Sequence, residues 1–291
     1  MRVERLADGP IIGPEMDARI GSNINGPSLV RVPDWIEDRL GAYYLYFAHH
    51  RGTYIRMAFA DDLEGPWTTY RPGVLELDAS FFASPAFSSH VASPDVHIDD
   101  ENRQIRMYYH GVVERGVQRS RVALSENGID FEAREELLGN SYLRVFQYGG
   151  YHYAIGMPGV FYRSGDGLTG FVEGPTLFDE NMRHCAVRLA GHTLSVFFSN
   201  AGDCPERILV SEIDLRPDWM EWRESEPSVV LEPETDYEGA DLALEPSQRG
   251  LTDLRVRQLR DPGIFEENGE IYLLYSVAGE AGIAIARLHD L

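Results

Sequence analysis

Apolar residues in this chain occur in short runs that are separated by polar turns. The clearest runs are residues 43–49, 105–110 and 271–276, which are rich in Tyr, Phe, Leu and Ile. Short apolar and aromatic runs bounded by Gly, Pro, Asn and Asp are typical of β-strands. The run at 43–49 is apolar on both faces, which predicts a strand that is covered on both sides.

The runs belong to a unit that the chain repeats five times, with two of the copies weaker than the others. Each unit has a short strand, a polar turn, an aromatic-rich strand and a third strand. The first and second strands of the clear copies are at 26–30 and 43–49, 93–97 and 105–110, and 261–265 and 271–276. A unit of roughly 40 to 65 residues built only of strands is typical of a propeller blade. We therefore predict an all-β fold, a five-bladed β-propeller with blades of about four antiparallel strands.

The predicted blades occupy one domain, residues 1–291, whose inner strands begin at a central funnel. Residues 1–24 are irregular and are interpreted as an N-terminal extension that closes the ring or caps one face. Residues 224–258 break the repeat and are interpreted as a long insertion before the last blade. Long loops in compact domains are often functional, although a solvated connector explains this segment equally well.

The charge of the chain restricts its partners. Its 291 residues have a formal net charge of −21. Such a surface repels phosphate backbones and anionic lipid, so we expect no nucleic-acid and no membrane partner, although a local positive funnel is compatible with it. No apolar run of about 18 residues is present, and residues 1–8 lack the apolar core of a signal peptide, so we predict a cytoplasmic protein. The sequence is compatible with a homo-oligomer.

Only two cysteines are present, Cys185 and Cys204. Their spacing does not match a metal knuckle, and two free thiols are favoured over a disulfide.

Three motifs resemble those of known proteins. Ser-Pro-Asp-Val-His at 93–97, followed by Arg-Met-Tyr-Tyr-His at 106–110, resembles a pattern of family 43 glycoside hydrolases. Arg-Asp-Pro-Gly-Ile-Phe at 260–265 resembles blade starts of that family and of families 32, 68, 117 and 130. The turn Leu-Glu-Gly-Pro-Trp at 63–67 is also typical of those proteins. The resemblance implies a five-bladed propeller and a hydrolase of O-glycosyl bonds.

The acidic triad of family 43 is not intact in this chain. The family has an Asp that opens blade 1, an Asp that opens blade 3 and a Glu that opens blade 4. The corresponding positions lie near Asn25, Arg144 and His184. The carboxylates that the repeat places at inner-strand starts are Asp95 and Asp261, and each of them could also simply cap a turn next to its proline.

The candidate catalytic residues are Asp95, Asp261, His184 and His110. In this hypothesis Asp261 or Asp95 is the base that activates water, and His184 or His110 is the acid that protonates the leaving oxygen. A histidine acid resembles the arrangement in the neoagarobiose-hydrolase family. The position of His110 at the end of the second strand of blade 2 would match that of His49 in blade 1.

Further polar residues near the inner-strand starts are candidates for substrate binding. They are Asn25, His49, His50, Arg144 and Arg260. Arg144 would orient a polar or acidic group of the substrate, or neutralise a nearby Asp. His110 and His184, together with Asp95, could instead hold a divalent metal such as calcium or zinc, although no close ligand spacing supports this.

The first functional hypothesis is therefore a glycoside-hydrolase-like enzyme that cleaves a short oligosaccharide or glycoside in the funnel. The alternatives are a non-catalytic carbohydrate-binding propeller and a metal-dependent enzyme of another reaction class, because a fold does not fix a function.

Overall fold

The computed structural model describes residues 1–290, which form five antiparallel sheets. The strands are β1 (Arg2–Arg5), β2 (Asn25–Arg31), β3 (Tyr43–Ala48), β4 (Tyr54–Ala60), β5 (Thr68–Glu76), β6 (Val91–Asp99), β7 (Gln104–Glu114), β8 (Val117–Ser125), β9 (Glu132–Ala133), β10 (Gly139–Asn140), β11 (Arg144–Tyr148), β12 (Tyr151–Gly156), β13 (Val160–Ser164), β14 (Val172–Thr176), β15 (Met182–Ala190), β16 (Thr193–Asn200), β17 (Ile208–Asp214), β18 (Ser228–Leu231), β19 (Arg260–Glu267), β20 (Glu270–Ser276) and β21 (Ile283–His289). Three short 3₁₀ helices complete the elements, η1 (Leu77–Ala79), η2 (Trp219–Glu221) and η3 (Asp236–Glu238).

Each sheet is one blade of a propeller. Blade 1 consists of β2 to β5, blade 2 of β6 to β10, blade 3 of β11 to β14 and blade 4 of β15 to β18. Blade 5 has the order β1-β21-β20-β19, so its outermost strand comes from the other end of the chain. The predicted all-β, five-bladed fold is confirmed.

The N-terminal segment takes part in closing the ring. Strand β1 pairs antiparallel with β21, from Arg2 opposite His289 to Arg5 opposite Ala286. Further on, Ile12 and Ile24 form isolated bridges to the last blade. Part of the segment that the sequence suggested was an irregular extension is therefore a blade strand.

Apolar contacts between neighbouring blades form the core. The five buried clusters correspond to the five interfaces between blades, since each cluster combines residues from two adjacent sheets. Strand β3 is buried along its whole length, as its two apolar faces predicted. Tyr46 of this strand packs against blade 2, and its hydroxyl donates a hydrogen bond of 2.7 Å to the carbonyl oxygen of Gly128. Such a partner offsets the cost of burying the hydroxyl.

The inner strands are irregular near the funnel. In blades 1, 2 and 5 the pairing register shifts at Gly26, Ser93 and Asp261, whose φ angles are +62°, +49° and +48°. Tyr142, just before β11 of blade 3, has a φ angle of +58°. Blade 4 has the same register shift around Arg183. These five positions are equivalent, and the bulges direct their residues to one end of the central axis.

The segment 224–258 contains more than an insertion. Its first part supplies β18, the fourth strand of blade 4. Its later part crosses the funnel, where the carbonyl oxygens of Gln248 and Gly250 accept hydrogen bonds of 3.3 and 3.1 Å from Arg183.

Both cysteines are free thiols, Cys185 buried and Cys204 exposed, as the sequence favoured. None of the helices within residues 1–290 has the length and apolarity that crossing a bilayer requires.

Candidate active site

A cavity of about 380 Å³ lies at the end of the funnel where the inner strands begin. Blades 2, 3 and 4 contribute to its walls, together with the turn after β3 and the crossing segment. Its polar side chains are His50, Gln118, Arg119, Asn140, Ser141, Tyr142, Arg183, His184 and Arg249. Among residues 1–290, no Asp or Glu lines this cavity.

His184 reaches the cavity from blade 4 with a carboxylate behind it. Its Nδ1 contacts the Oδ1 of Asp261 in blade 5, and the two side chains are 3% and 2% exposed. Burial lowers the pKa of His184, and the charge and hydrogen bond of Asp261 oppose this shift only in part. The lowered pKa favours the neutral imidazole at pH 7. With its proton on Nδ1, the nitrogen that contacts Asp261, the imidazole has Nε2 as an acceptor.

Tyr142 holds this imidazole in place from blade 3. Its ring centroid lies 4.1 Å from that of His184 and 4.3 Å from that of His110. A further edge-to-face contact, at 5.6 Å, joins His110 to His90. Burial keeps the phenol protonated by raising the pKa of Tyr142, lowers the pKa of His110 far below its ordinary value and lowers that of His90 to about 4. His110 itself does not line the cavity.

The predicted equivalence of His110 and His49 is wrong. Strand β7 continues to Glu114, so His110 lies inside the strand and not at its end. The pairing places His110 opposite Ala92, as Ala48 lies opposite Asn25, so Ala48 is the equivalent residue.

His50 is the second imidazole at the cavity, and it also has a carboxylate behind it. Its Nδ1 lies 3.4 Å from the Oε1 of Glu280, which is fully buried. Glu280 also accepts hydrogen bonds from Arg260 at 3.0 Å, from Asn23 at 2.5 Å and from Asn25 at 3.3 Å. Burial alone would raise the pKa of Glu280, but the hydrogen bond from His50 and the charges of His50 and Arg260 outweigh it and lower this pKa to about 2. Glu280 is therefore ionised.

Glu206 is a third buried carboxylate beneath the cavity. It lies 3.2 Å from the guanidinium groups of both Arg183 and Arg260, and the hydroxyl of Ser199 donates to it at 2.7 Å. Arg183 and Arg260, together with the buried carboxylates that they contact, form a rigid floor of the cavity. The charges of this floor are neutralised, because each of them has a partner of opposite charge and a hydrogen bond.

Sequence reasoning missed Glu206 and Glu280. Both lie in the loops that join the second and third strands of their blades, β16 to β17 and β20 to β21. Their similar places in blades 4 and 5, each after the second strand of its blade, are the signal in the sequence that identifies them.

Asp95 lies two residues further along its inner strand than the bulge position Ser93 and does not line the funnel cavity. Its Oδ2 accepts a hydrogen bond of 2.9 Å from the backbone of Val145 and contacts Nε2 of His97 at 2.8 Å. It lines a separate cavity of about 140 Å³ formed by later residues of the inner strands. Burial opposes its ionisation, but His97 and further hydrogen bonds lower the pKa of Asp95. Asp95 and Asp261 are not brought together.

The other predicted binding residues are placed differently from His50. Arg144 is buried beside the Asp95 cavity, and its guanidinium donates to the carbonyl oxygens of Cys185, Ser93 and Leu143 at 2.9, 3.3 and 3.2 Å. It therefore ties blades 2, 3 and 4 together across the axis.

Arg260 and Asn25 belong to the buried network around Glu280. The Nδ1 of His49 accepts a hydrogen bond of 2.9 Å from the backbone of Arg51, and His49 does not line the cavity.

Within residues 1–290, no group of three or more His, Cys, Asp and Glu side chains is arranged to hold a metal ion. The metal that the sequence suggested at His110 and His184 stays a prediction.

Comparisons with known proteins place this geometry in context. No protein-family model matches the chain. The chain is 37% identical over 297 residues to the uncharacterized protein R118 of Acanthamoeba polyphaga mimivirus, which covers 91% of this chain and 83% of that protein.

Similar solved structures are glycoside hydrolases. A glycosyl hydrolase from Bacteroides ovatus is 12% identical, with a TM-score of 0.70 over 99% of this chain and 94% of that chain. CoXyl43, a β-xylosidase/α-arabinofuranosidase from a compost microbial metagenome, is 14% identical, with a TM-score of 0.64 over 99% and 96%. An α-L-arabinanase of Cellvibrio cellulosa is 15% identical, with a TM-score of 0.61 over 92% of each chain. The resemblance to the five-bladed glycoside-hydrolase superfamily is confirmed at the level of the fold.

Proposed function

This chain belongs to the family of protein R118 of Acanthamoeba polyphaga mimivirus, and we propose that it is a glycoside-hydrolase-like enzyme that cleaves a short oligosaccharide or glycoside at the funnel cavity. The names of similar folds, a β-xylosidase/α-arabinofuranosidase and an arabinanase, support a sugar substrate. Because these structures are 14% and 15% identical to this chain, the roles of individual residues rest on the geometry of the cavity and not on the comparison.

One observation carries the proposal: two imidazoles, each with a buried carboxylate behind it, line the same cavity. These pairs are His184 with Asp261 and His50 with Glu280. Hydrolysis of a glycoside needs one group that takes a proton from water and one that gives a proton to the leaving oxygen. Histidine can fill either role near neutral pH.

The neutral His184 is suited to act as the base. Its Nε2 accepts a proton from water, the water oxygen bonds to the anomeric carbon, and the bond from that carbon to the leaving oxygen breaks. His50 gives its proton to that oxygen, next to the ionised Glu280. In this assignment Asp261 positions His184 and stabilises the imidazolium that forms, because Asp261 lies behind His184 and does not line the cavity.

The test is a panel of oligosaccharides and aryl glycosides with the wild type and with His184→Asn and His50→Asn. Each variant should lower kcat by roughly 10²–10⁴-fold, the usual contribution of one acid or base. His192→Asn is the matched control, since His192 is exposed, lies outside the cavity and has the hydroxyl of Tyr148 in the neighbouring blade 3 as the hydrogen-bond partner of its ring. Full turnover by His184→Asn on a substrate that the wild type cleaves would overturn the assignment.

A non-catalytic carbohydrate-binding propeller is the second candidate. The observation that favours it is the absence, within residues 1–290, of a carboxylate from the cavity wall. The bulge positions of blades 1, 3 and 4 carry Gly26, Tyr142 and Arg183. This candidate predicts measurable sugar affinity and no product after long incubation. A metal-dependent enzyme would instead lose activity with a chelator and regain it with calcium or zinc.

A further inference from the structure

We propose that the substrate of this cavity carries an anionic substituent, a carboxylate or a sulfate ester, which is bound by Arg119 and Arg249. The inference rests on the proposed function, because it takes the cavity as a sugar site. It names the class of sugar that the site selects.

The wall of the funnel cavity is basic. The titratable cavity residues other than Tyr142 are all basic, and they are His50, Arg119, Arg183, His184 and Arg249. No Asp or Glu among residues 1–290 joins them, although the chain has a net charge of −21. A neighbouring cavity of about 490 Å³ is mainly acidic, with Asp236, Asp241, Asp253 and Glu280 in its wall against one basic residue, Arg255. The basic lining is therefore local to the funnel.

The three arginines of the cavity differ in whether a carboxylate neutralises their charge. Arg183 lies 3.2 Å from Glu206, so its charge is already matched. Arg119 donates only to the carbonyl oxygen of Gln118, at 2.9 Å, and Arg249 only to that of Glu180. Neither forms an ion pair with any carboxylate in the described part of the chain. Two cations with only backbone partners retain the capacity to bind an anion.

Arg119 and Arg249 are held by different segments of the backbone. Arg119 lies on β8, where its backbone pairs on one side with Gly111 and on the other with Asn140. Arg249 stands between Gln248 and Gly250, whose carbonyl oxygens accept hydrogen bonds from Arg183. The two guanidinium groups thus approach one cavity from separate, fixed segments.

The chemistry of the anion follows from this arrangement. Guanidinium groups bind carboxylate and sulfate oxygens in a fork geometry, and a neutral sugar gives them no matching charge. A positive cavity in an acidic protein also concentrates anions at the funnel, while the outer surface repels them. Because His50 and His184 line the same cavity, the charged group lies on or next to the sugar that is cleaved.

Binding to the full chain provides the test. The probes are sodium glucuronate, inorganic sulfate and glucose, measured by calorimetry with the wild type, Arg119→Gln, Arg249→Gln and Arg223→Gln. Arg223 is the matched control, since it is exposed, donates only to the carbonyl oxygen of Trp222 and lies outside the cavity. We expect at least one anion to bind about tenfold more tightly than glucose. Each cavity variant should lose about tenfold of that affinity, and the control should keep it.

The two anions distinguish the source of the charge: preferential glucuronate binding indicates a uronic acid, and preferential sulfate binding indicates a sulfated sugar. Added NaCl should weaken anion binding to the wild type and leave glucose binding unchanged, which tests the inference without any variant. Equal affinity for glucose and both anions, or unchanged anion affinity in both cavity variants, would overturn it.

Hydrolysis assays separate this inference from the proposed function. Arginine-dependent binding of an anion without hydrolysis of any glycoside supports the inference and contradicts the enzyme. Efficient hydrolysis of neutral glycosides that neither arginine variant changes supports the enzyme and contradicts the inference.

Discussion

His184 Nδ1 contacts the carboxylate of Asp261 across the boundary between blades 4 and 5, and of the two residues only His184 lines the funnel cavity. The pair therefore has an inner and an outer member. In the proposed reaction the outer imidazole contacts the substrate, and the inner carboxylate sets its tautomer.

Asp261→Asn should lower kcat without unfolding the protein. An amide cannot stabilise the imidazolium and can present the wrong group to Nδ1, so we expect a loss of roughly 10²–10⁴-fold with little change in KM. Steady-state kinetics and circular dichroism measure this. The pH dependence of kcat should change as well, since removal of the carboxylate should shift the limb of the profile that reports on the pKa of His184.

Asp95→Asn is the comparison, and it should have the opposite effect. Asp95 lines a separate cavity, where its carboxylate accepts a hydrogen bond from the backbone of Val145 and contacts His97. Loss of this charged acceptor should lower the free energy of unfolding by about 1–3 kcal/mol and leave kcat near that of the wild type. Loss of turnover in Asp95→Asn together with full turnover in Asp261→Asn would contradict the assignment.

Tyr142 should act through its ring and not through its hydroxyl. Its ring packs on His184 with a centroid distance of 4.1 Å. Tyr142→Ala should free the imidazole and reduce kcat at least about tenfold, because misplaced catalytic groups lose much of their effect. Tyr142→Phe keeps the ring and should keep most of the rate. Equal losses in both variants would show that the hydroxyl is the important group.

His90 should make the protein sensitive to mild acid. Its pKa is about 4 in the folded protein, because of burial, against 6.5 for an unperturbed histidine. A histidine with a lowered pKa contributes its full stability above pH 6.5, and this is lost as the pH falls from 6.5 to about 4. The shift corresponds to about 3 kcal/mol at most.

His90→Phe removes the titrating group and keeps an aromatic ring against His110. Urea unfolding between pH 7 and pH 4 should show a shallower loss of stability in this variant than in the wild type. Identical pH dependence in the two proteins would contradict the prediction.

Gly26→Ala should be more costly than Gly21→Ala. Both glycines have positive φ angles, +62° and +66°, so both substitutions incur the strain of a left-handed alanine. A Cβ at Gly26 would also lie 3.1 Å from the Cα of Ser93, whereas a Cβ at Gly21 meets no atom within 4 Å. We expect Gly26→Ala to lower the free energy of unfolding by at least about 1 kcal/mol more than its control. Chemical denaturation measures the difference.

The fold could be predicted from the sequence because the number of repeated units equals the number of blades. Strands such as β3 have apolar residues on both faces, and one aromatic position recurs in the second strands of blades 1, 2 and 5, as Phe47, Tyr109 and Tyr275. Interblade packing, which dominates the core, selects for this pattern.

The site was harder to predict because bulges change the register. Asp95 and Asp261 both stand next to a proline in similar motifs, yet Asp261 is equivalent to Ser93, and Asp95 to Gly263. A displacement of two residues along an inner strand therefore moves a side chain from beside the funnel cavity to the separate cavity that Asp95 lines. Glu206 and Glu280 are close to the cavity through loops that the strand pattern does not describe.

The pairing of β1 with β21 has a consequence for how the molecule comes apart. The last blade takes its edge strand from Arg2–Arg5, so the hydrogen bonds between β1 and β21 close the ring of blades. The neighbouring blades cannot separate one at a time, because breaking the pairing of β1 with β21 exposes the unpaired edge of β21 and the apolar faces beside it. We therefore expect the propeller to unfold in one cooperative transition that begins at the pairing of β1 with β21.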